Sequence, residues 1–182
     1  MKTIIFIILG LFITTSTFAK GKGNLLISPI VGLETVKKWT PTVRTVTRTV
    51  IGARAVYGPP LLSAEAEVTR SQDDEYLFEQ DMKVEEESYA AKLGIRTSIG
   101  LPMLRFFIRG GGQARQRKIT ETVAGVVTTR EPAIRTSPYA GAGISIRPAG
   151  LFLNAGYTAI FTGKPRGSDY DHQTTLAIGA RF

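Results

Sequence analysis

The sequence predicts an all-β fold in which eight antiparallel strands run up and down around a closed barrel. Three observations support this prediction. Polarity alternates with period two along eight segments, and none of them has the 3.6-residue period of a helix. The connections alternate between very short turns and long polar loops. In a barrel with an even number of strands, this alternation brings the short turns to one end and the long loops to the other.

The eight strands are separated by residues typical of turns and loops. Gly and Pro dominate the short connections because they favour tight turns, whereas the long connections are polar. The short turns are Gly58-Pro59-Pro60, Gly100-Leu101-Pro102 and Pro148-Ala149-Gly150, and the long loops cover 36–46, 72–83, 114–131 and 162–171. The predicted strands cover 24–35, 47–58, 61–71, 84–100, 103–113, 132–147, 151–161 and 172–182.

Residues 1–19 precede the first predicted strand and are typical of a secretory signal peptide. Lys2 is followed by an apolar run from Ile4 to Ile13 and by small and polar residues up to Ala19. The run has about 10 residues, whereas a helix that spans a membrane needs about 20. We therefore expect cleavage after Ala19, so that residues 20–182 form the barrel.

The composition restricts the class of protein further. The chain has no cysteine, so disulfides do not stabilise it, and no stretch after residue 19 is apolar for long enough to form a membrane helix. Its net charge of +8 would ordinarily suggest nucleic acid as a partner. The export signal and the placement of the charges argue against such a partner.

Apart from residues near the ends of some strands, the charges lie on only one face of each strand. In the fourth strand the face from Tyr89 to Ile99 carries no charge, whereas the opposite face carries Lys92 and Arg96. The charged face is also rich in glycine, which suits a crowded interior better than a solvated surface. We therefore predict that the charged face lines the lumen and the apolar face contacts lipid, as in a transmembrane barrel. A soluble lipocalin-like carrier, with the apolar face inside, is the alternative.

The predicted lumen is a network of basic residues with few acids. If Pro59-Pro60 is the tip of the first short turn, Arg54 lies opposite Glu65 and Gly52 lies opposite Glu67. A slightly different turn would place Arg54 diagonal to Glu65, still within reach. The lumen set comprises Arg48, Arg54, Lys92, Arg96, Arg105, Arg109, Arg147 and Arg181, with Glu34, Glu65 and Glu67 as the acids.

One long loop is strongly acidic. Its acids face a single lysine, Lys83, and such a block is suited to holding divalent cations between lipopolysaccharide phosphates or to binding a basic partner. A merely solvated loop is the alternative. The 114–131 loop supplies Arg115, Arg117, Lys118 and Arg130, which are suited to pairing with these acids or with lipid phosphates. The acids are Asp73, Asp74, Glu75, Glu79, Asp81, Glu85, Glu86 and Glu87.

Together, the signal peptide, the eight strands, the loop pattern and the terminal aromatic residue resemble the small bacterial outer-membrane barrels of the OmpA and OmpX type. The resemblance implies that an alternating C-terminal strand is the signal read by the barrel assembly machinery. The matching positions are Leu176, Ile178, Ala180 and Phe182. It also implies an outer-membrane monomer without a cofactor, surrounded by outer-membrane lipids and lipopolysaccharide, with both termini in the periplasm.

The expected function is a structural, adhesion or surface-interaction role carried by four extracellular loops. A narrow channel that prefers anions is one alternative, because the lumen set is mainly basic. A lipid-modifying or proteolytic enzyme is another, because His172, the single histidine, lies near Ser168, Asp169 and Asp171. No motif of an enzyme family surrounds His172, so we expect no catalysis. The glycines at 110–112 are interpreted as a flexible strand end rather than a phosphate loop, because no Lys-Ser or Lys-Thr follows them.

Overall fold

The structure is a computed structural model that describes residues 25–38, 43–78, 81–147, 151–163 and 170–182. The signal peptide predicted at residues 1–19 lies outside these ranges. No helix in the described ranges is long and apolar enough to cross a membrane.

The described residues form nine antiparallel strands. Eight of them make a ring in which each strand pairs with its neighbours, and the pairing of β4 with β5 closes it. β6 lies outside the ring and pairs only with β5. The fold is therefore the predicted eight-stranded up-and-down barrel with one extra short strand. The strands are β1 (Leu25–Lys38), β2 (Arg44–Tyr57), β3 (Ser63–Leu77), β4 (Met82–Gly100), β5 (Leu104–Val123), β6 (Val126–Arg130), β7 (Arg135–Ile146), β8 (Phe152–Phe161) and β9 (Tyr170–Arg181).

Two of the predicted long loops are largely strand. β3 and β4 continue to residues 77 and 82, and β5 and β6 form a hairpin through most of 114–131. The hairpin turns at Ala124-Gly125, where both residues have the positive φ that a two-residue β-turn of this kind requires. The expectation of loops was wrong here because these segments carry charges on both faces, which hides the apolar alternation. In place of an apolar face, the extended ends of β3 and β4 have cross-strand ion pairs such as the one between Arg70 and Glu87.

The distribution of polarity is the inverse of that in a soluble barrel. Charged side chains are buried inside, with Glu67 and Lys92 each only 1% exposed. Large apolar side chains cover the outside, with Leu93 70% and Ile108 65% exposed. This distribution is that of a transmembrane barrel, and it does not fit the apolar interior of the lipocalin-like alternative.

The apolar outer face has the height of a bilayer core. On β4 this face runs from Tyr89 to Ile99, and at about 3.3 Å per residue and a tilt of about 40° the segment rises about 25 Å. The apolar band of outer-membrane barrels is also about 25 Å tall. Residues 82–88 of β4, with the paired end of β3, therefore extend beyond the band. The hairpin of β5 and β6 extends at the same end.

Candidate functional site

A single carboxylate forms the centre of the lumen. Glu67 of β3 accepts hydrogen bonds from Lys92 Nζ at 2.7 Å and Arg109 Nη1 at 2.7 Å. Arg54 Nη2 donates a third at 2.7 Å. The acid and its partners come from four neighbouring strands, β2 to β5, because the period-two pattern turns each of these positions inward. One buried anion therefore joins three cations.

The second carboxylate of this layer, Glu65, lies two positions away on the same strand. It accepts a hydrogen bond from Arg109 Nη1 at 2.6 Å, and Arg54 Nε and Arg96 Nη1 lie 3.8 Å and 3.7 Å from its oxygens. This central layer, defined by Glu65, Glu67 and their basic partners, thus has two acids for four bases. Its cations are Arg54, Lys92, Arg96 and Arg109.

Polar side chains from the opposite wall complete the central layer. Arg96 Nη2 donates to Asn154 Oδ1 at 3.0 Å, Lys92 donates to Gln173, and Arg109 Nη2 donates to Thr158 Oγ1 at 2.5 Å. These acceptors belong to β8 and β9, across the bore from β3 and β4. The layer therefore reaches from wall to wall of the lumen.

The register of β2 and β3 differs from the one predicted for a turn with Pro59-Pro60 at its tip. Arg54 lies opposite Glu67 rather than Glu65, and Gly52 lies opposite Thr69. The turn is longer than a two-residue tip: Leu62 N–H donates to the Pro59 carbonyl at 3.1 Å, and pairing resumes only between Tyr57 and Ala64. The sequence-based register was wrong by two residues, and Arg54 and Glu65 have the diagonal relation considered as the alternative.

Aromatic rings, which the sequence analysis did not assign to the lumen, fill space beside the central layer. Phe107 is buried on the inner face of β5, and the Arg96 guanidinium lies 3.7 Å from its ring centre. A Cβ at Gly143 would lie 2.5 Å from Phe107, and one at Gly94 would lie 2.5 Å from the Tyr139 hydroxyl. The inward glycines therefore make room for rings as well as for arginines. Phe107 lies on the same face of its strand as Arg105 and Arg109, so its position in the lumen could have been predicted from the sequence.

A second charged layer lies nearer the long-loop end. Arg48 Nη2 pairs with Glu34 at 2.8 Å, and Arg48 Nη1 pairs with Glu86 at 3.0 Å. Arg115 contacts Glu34 and lies 3.5 Å from Asp171. These lumen positions were not predicted: Arg115 and Asp171 lie just beyond the predicted strands 103–113 and 172–182, and Glu86 was assigned to the acidic loop although it lies within the predicted strand 84–100. The same parity, extended beyond those strand ends for Arg115 and Asp171, would have found all three.

The remaining lumen arginines lie at the short-turn end. Arg147 lies 4.7 Å from the ring centre of Phe152, and Arg105 and Arg181 line a recess beside it. Among the described residues, none of these three arginines forms an ion pair with a carboxylate. The predicted network is therefore divided into two ion-paired layers and a separate cluster of unpaired arginines.

The predicted acidic loop is formed largely by the paired ends of β3 and β4, and its acids point both into the lumen and away from it. Asp73 and Glu75 point inward, where Lys38 Nζ donates to Asp73 at 2.6 Å and Arg44 Nε donates to Glu75 at 2.5 Å. The hydrogen bond from Arg44 holds the pKa of Glu75 below its usual value.

Glu86 also faces the lumen, where it pairs with Arg48, and the other acids of this segment lie on its outer face or in its turn. Glu87 accepts a hydrogen bond from the Tyr89 hydroxyl at 2.7 Å, Glu85 pairs with Lys83 at 2.5 Å, and Asp81 contacts Tyr76. Asp74 lies opposite Glu85. Glu79 lies outside the described residues. Within the described ranges, no three His, Cys, Asp or Glu side chains are grouped to hold a metal ion.

His172 lies on the outer face of β9, among aromatic residues. It contacts the Tyr157 hydroxyl, and the ring of Tyr170 packs edge-on at 4.7 Å between centres. Its neighbour Asp171 is buried and faces the lumen. Ser168 and Asp169, considered as possible partners of His172, lie outside the described residues.

The proposed assembly-signal positions form the end of β9. Leu176 and Ile178 point outward, each 58% exposed. Ala180 is half-buried and pairs with Ile27 of β1. The backbone of Phe182 exchanges hydrogen bonds with Leu25, so the last residue closes the seam between the first and last strands.

The fold resembles that of solved outer-membrane proteins. Ail, the attachment invasion locus protein of Yersinia pestis, superimposes with a TM-score of 0.62 at 16% identity, over 89% of this chain and 100% of that one. Neisserial surface protein A gives 0.58 at 11% identity, over 87% and 96%. The N-terminal β-barrel domain of Pseudomonas aeruginosa OprF gives 0.54 at 13% identity, over 88% and 98%. No protein-family model and no curated protein matches the sequence. The chain thus has the eight-stranded fold of the small outer-membrane barrels, as its sequence predicted.

Proposed function

We propose that this protein is an integral outer-membrane barrel that presents strand extensions at the cell surface for adhesion or surface interaction. The observation that carries the proposal is the combination of a bilayer-high apolar band with paired strands that continue beyond it at one end. Seven residues of β4 beyond Tyr89, at about 3.3 Å each and a tilt of about 40°, rise roughly 18 Å above the band. The extensions are thus rigid sheet rather than flexible loops.

The orientation follows from the architecture of this class of fold. Outer-membrane barrels have short turns in the periplasm and long connections outside. The short turns here join β2 to β3, β4 to β5, and β7 to β8, and β1 begins and β9 ends at that side. The proposal therefore places both chain ends of the barrel in the periplasm and the two extended hairpins outside the cell.

The central layer argues for a scaffold rather than a channel. Its ion pairs join β2–β5 to polar groups on β8 and β9, and Glu67 and Lys92 are almost inaccessible to water. An eight-stranded barrel has an interior just wide enough to be filled by side chains. We expect no stable single-channel conductance in planar bilayers at neutral pH, and regular conductance steps would contradict the scaffold role.

The surface partner favoured by the charges is an anionic polysaccharide. At the extracellular mouth Arg135 lies directly opposite Arg115 on the neighbouring strand, and Arg117 is two residues further along. Burial lowers the pKa of Arg117; the carboxylate of Glu86, 3.8 Å away, opposes this effect, and the charges of Arg135 and Arg115 add to it. Like charges placed so closely repel one another, and an anion bound between them relieves the repulsion. In support, Ail has been solved in complex with the heparin analogue sucrose octasulfate.

The location is tested by site-specific surface labelling. An epitope inserted in the Ala124-Gly125 turn should be labelled on intact cells, whereas one inserted at 101–103 should be labelled only after the outer membrane is permeabilised. Both variants should appear in the outer-membrane fraction and show heat-modifiable migration. Labelling of the 101–103 epitope on intact cells would reverse the orientation, and recovery in the soluble fraction would refute the membrane assignment.

The partner is tested with heparin and the purified barrel in nanodiscs. The Arg117→Gln/Arg135→Gln variant should bind heparin at least tenfold more weakly, because the loss of a single charge-assisted contact of roughly 1.5 kcal/mol already corresponds to about that factor. Arg130→Gln is the matched control, since Arg130 is exposed on the hairpin and paired with Glu121. Equal losses in the two variants would indicate nonspecific attraction instead of a site at the mouth.

A further inference from the structure

A recess opens into the lumen at the short-turn end of the barrel, on the far side of the central layer from the extracellular extensions. Its cavity volume is about 50 Å³. A single water needs roughly 10–15 Å³ on this measure, so the recess has room for a small oxyanion. Its wall supplies guanidinium and hydroxyl groups, and its polar lining residues are Ser63, Arg96, Ser98, Arg105, Ser145 and Arg181.

The recess has an excess of positive charge that the chain itself does not balance. Arg105 and Arg181 line the recess together, and Arg147 lies over the ring of Phe152, which also lines it. The stretches 1–33, 88–120, 132–168 and 172–182 contain no Asp or Glu, so the parts of these strands at the short-turn end supply no acidic side chain. The carboxylate nearest along the barrel axis, Glu65, belongs to the central layer and already faces three cations.

A second observation is an unsatisfied donor on Arg96, a residue that also lines the recess. Arg96 is 4% exposed and lines the recess, and its Nη1 has no hydrogen-bond partner among the described residues. The closest acid oxygen, Glu65 Oε2, lies 3.7 Å away, beyond hydrogen-bond distance. A buried guanidinium nitrogen without an acceptor is costly, and a bound oxyanion would satisfy it.

We propose that this recess is a binding site for a phosphate group, held by the guanidinium groups of Arg96, Arg105 and Arg181. Arginine presents a planar fork of donors that matches two oxygens of a phosphate, and the Ser98 and Ser145 hydroxyls of the wall add neutral donors. The third hydroxyl, that of Ser63, donates to the Pro59 carbonyl at 2.6 Å. The phosphate group comes either from a lipid headgroup of the adjoining leaflet or from free phosphate. Both sources share the oxyanion chemistry that the recess recognises.

Binding is tested with inorganic phosphate and the purified barrel in a neutral, phosphate-free detergent. Calorimetric titration should give one saturable site that weakens as the salt concentration rises. Arg105→Gln and Arg181→Gln should each bind at least tenfold more weakly, and the double variant should show no saturable binding. Arg130→Gln, which removes an exposed arginine at the other end, should bind like the native protein. Absence of a saturable site in the native barrel, or its survival in the double variant, would overturn the proposal.

A second variant covers the case in which the glutamine variants do not fold. Ser145→Asp places a carboxylate in the recess, where it would supply the missing acid. It should abolish phosphate binding and raise the thermal unfolding temperature in phosphate-free buffer, whereas phosphate should raise that temperature only for the native protein. Undiminished phosphate binding by Ser145→Asp would also overturn the proposal.

The source of the phosphate group is distinguished in vesicles. If phosphatidylglycerol in a phosphatidylcholine vesicle suppresses the binding of inorganic phosphate, the headgroup occupies the site. If phosphate still binds, the site serves the free ion. Both results retain the site, and the detergent experiment does not depend on the cellular location proposed above.

Discussion

Removal of Glu67 should destabilise the barrel more than removal of any one of its basic partners. Glu67 is the acceptor for Arg54, Lys92 and Arg109 at 2.7 Å each. At 2.7 Å and an effective dielectric constant of about 20, each pair has a gross Coulomb energy of roughly 6 kcal/mol, most of which offsets desolvation. Deleting one partner of a buried ion pair typically costs about 3–5 kcal/mol net. We expect Glu67→Ala to lie at the upper end of that range, because three cations lose their acceptor together.

The matched comparison is Arg54→Ala. That change leaves Glu67 bonded to two cations and improves the charge balance of the central layer, from four bases against two acids to three against two. We expect it to cost less than half as much as Glu67→Ala. Glu65→Ala should likewise exceed Arg54→Ala, because Glu65 is the other acid of this layer.

The measurement is urea unfolding in lipid vesicles, followed by circular dichroism and by the heat-modifiable gel shift. A double-mutant cycle of Glu67→Ala with Lys92→Met should show strong coupling, because removing the cation relieves the unpaired charge left by the first change. Additive effects in that cycle, or an Arg54→Ala variant less stable than Glu67→Ala, would refute the argument. The lumen charges would then act as independent groups solvated by water.

Three further predictions concern other parts of the molecule. Gly156→Ala should lower the free energy of unfolding by roughly 1–3 kcal/mol, because its Cβ would lie 3.2 Å from Phe107, and Phe107→Leu should restore most of the loss. Because the pKa of Glu75 is lowered in the folded protein, its contribution to stability is present above its usual pKa of 4.5 and is lost as the pH falls through the folded value. Protection of the amides at the ends of β3 and β4 against hydrogen exchange, relative to their intrinsic rates at each pH, should therefore fall in acid, and Arg44→Gln should reduce this fall. Deleting Phe182 should reduce folded barrel in cells but change refolding in detergent little; equal cellular yields would contradict its role in assembly.

The period-two pattern predicted the barrel and its inside-out polarity because alternate residues of each strand face two environments, the lipid and the polar lumen. Lipid requires a continuous apolar face, so every strand that crosses the band carries an unbroken row such as the one from Tyr89 to Ile99. Beyond the band both faces meet water, and this requirement disappears. Strand ends such as those at Leu77 and Val123 therefore could not be predicted from apolar alternation.

The β2–β3 register and the packing of aromatic rings in the lumen depend on turn geometry and side-chain size, which the period-two pattern does not encode. A turn that contains Gly58 at a φ of +120° and a hydrogen bond from Leu62 to Pro59 moves the β2–β3 pairing by two residues without changing which face is inside. The parity of Arg54 was therefore predictable, whereas its partner was not. The position of Phe107 in the lumen follows from the same parity, but an aromatic residue has no charge to mark its face.

The distribution of acids along the barrel axis links the stability argument to the recess. β3 supplies both acids of the central layer, Glu65 and Glu67, and the other described acids lie nearer the end opposite the short turns or in its strand extensions. The bases, in contrast, continue through the central layer to Arg105 and Arg181 at the short-turn end. Since the acidic side chains of the lumen lie only in the central layer and toward the end opposite the short turns, the short-turn end gains the most from an external anion. A phosphate bound there should therefore stabilise the barrel more in the Glu65→Ala background, where Arg96 has lost its nearest acid, than in the native protein.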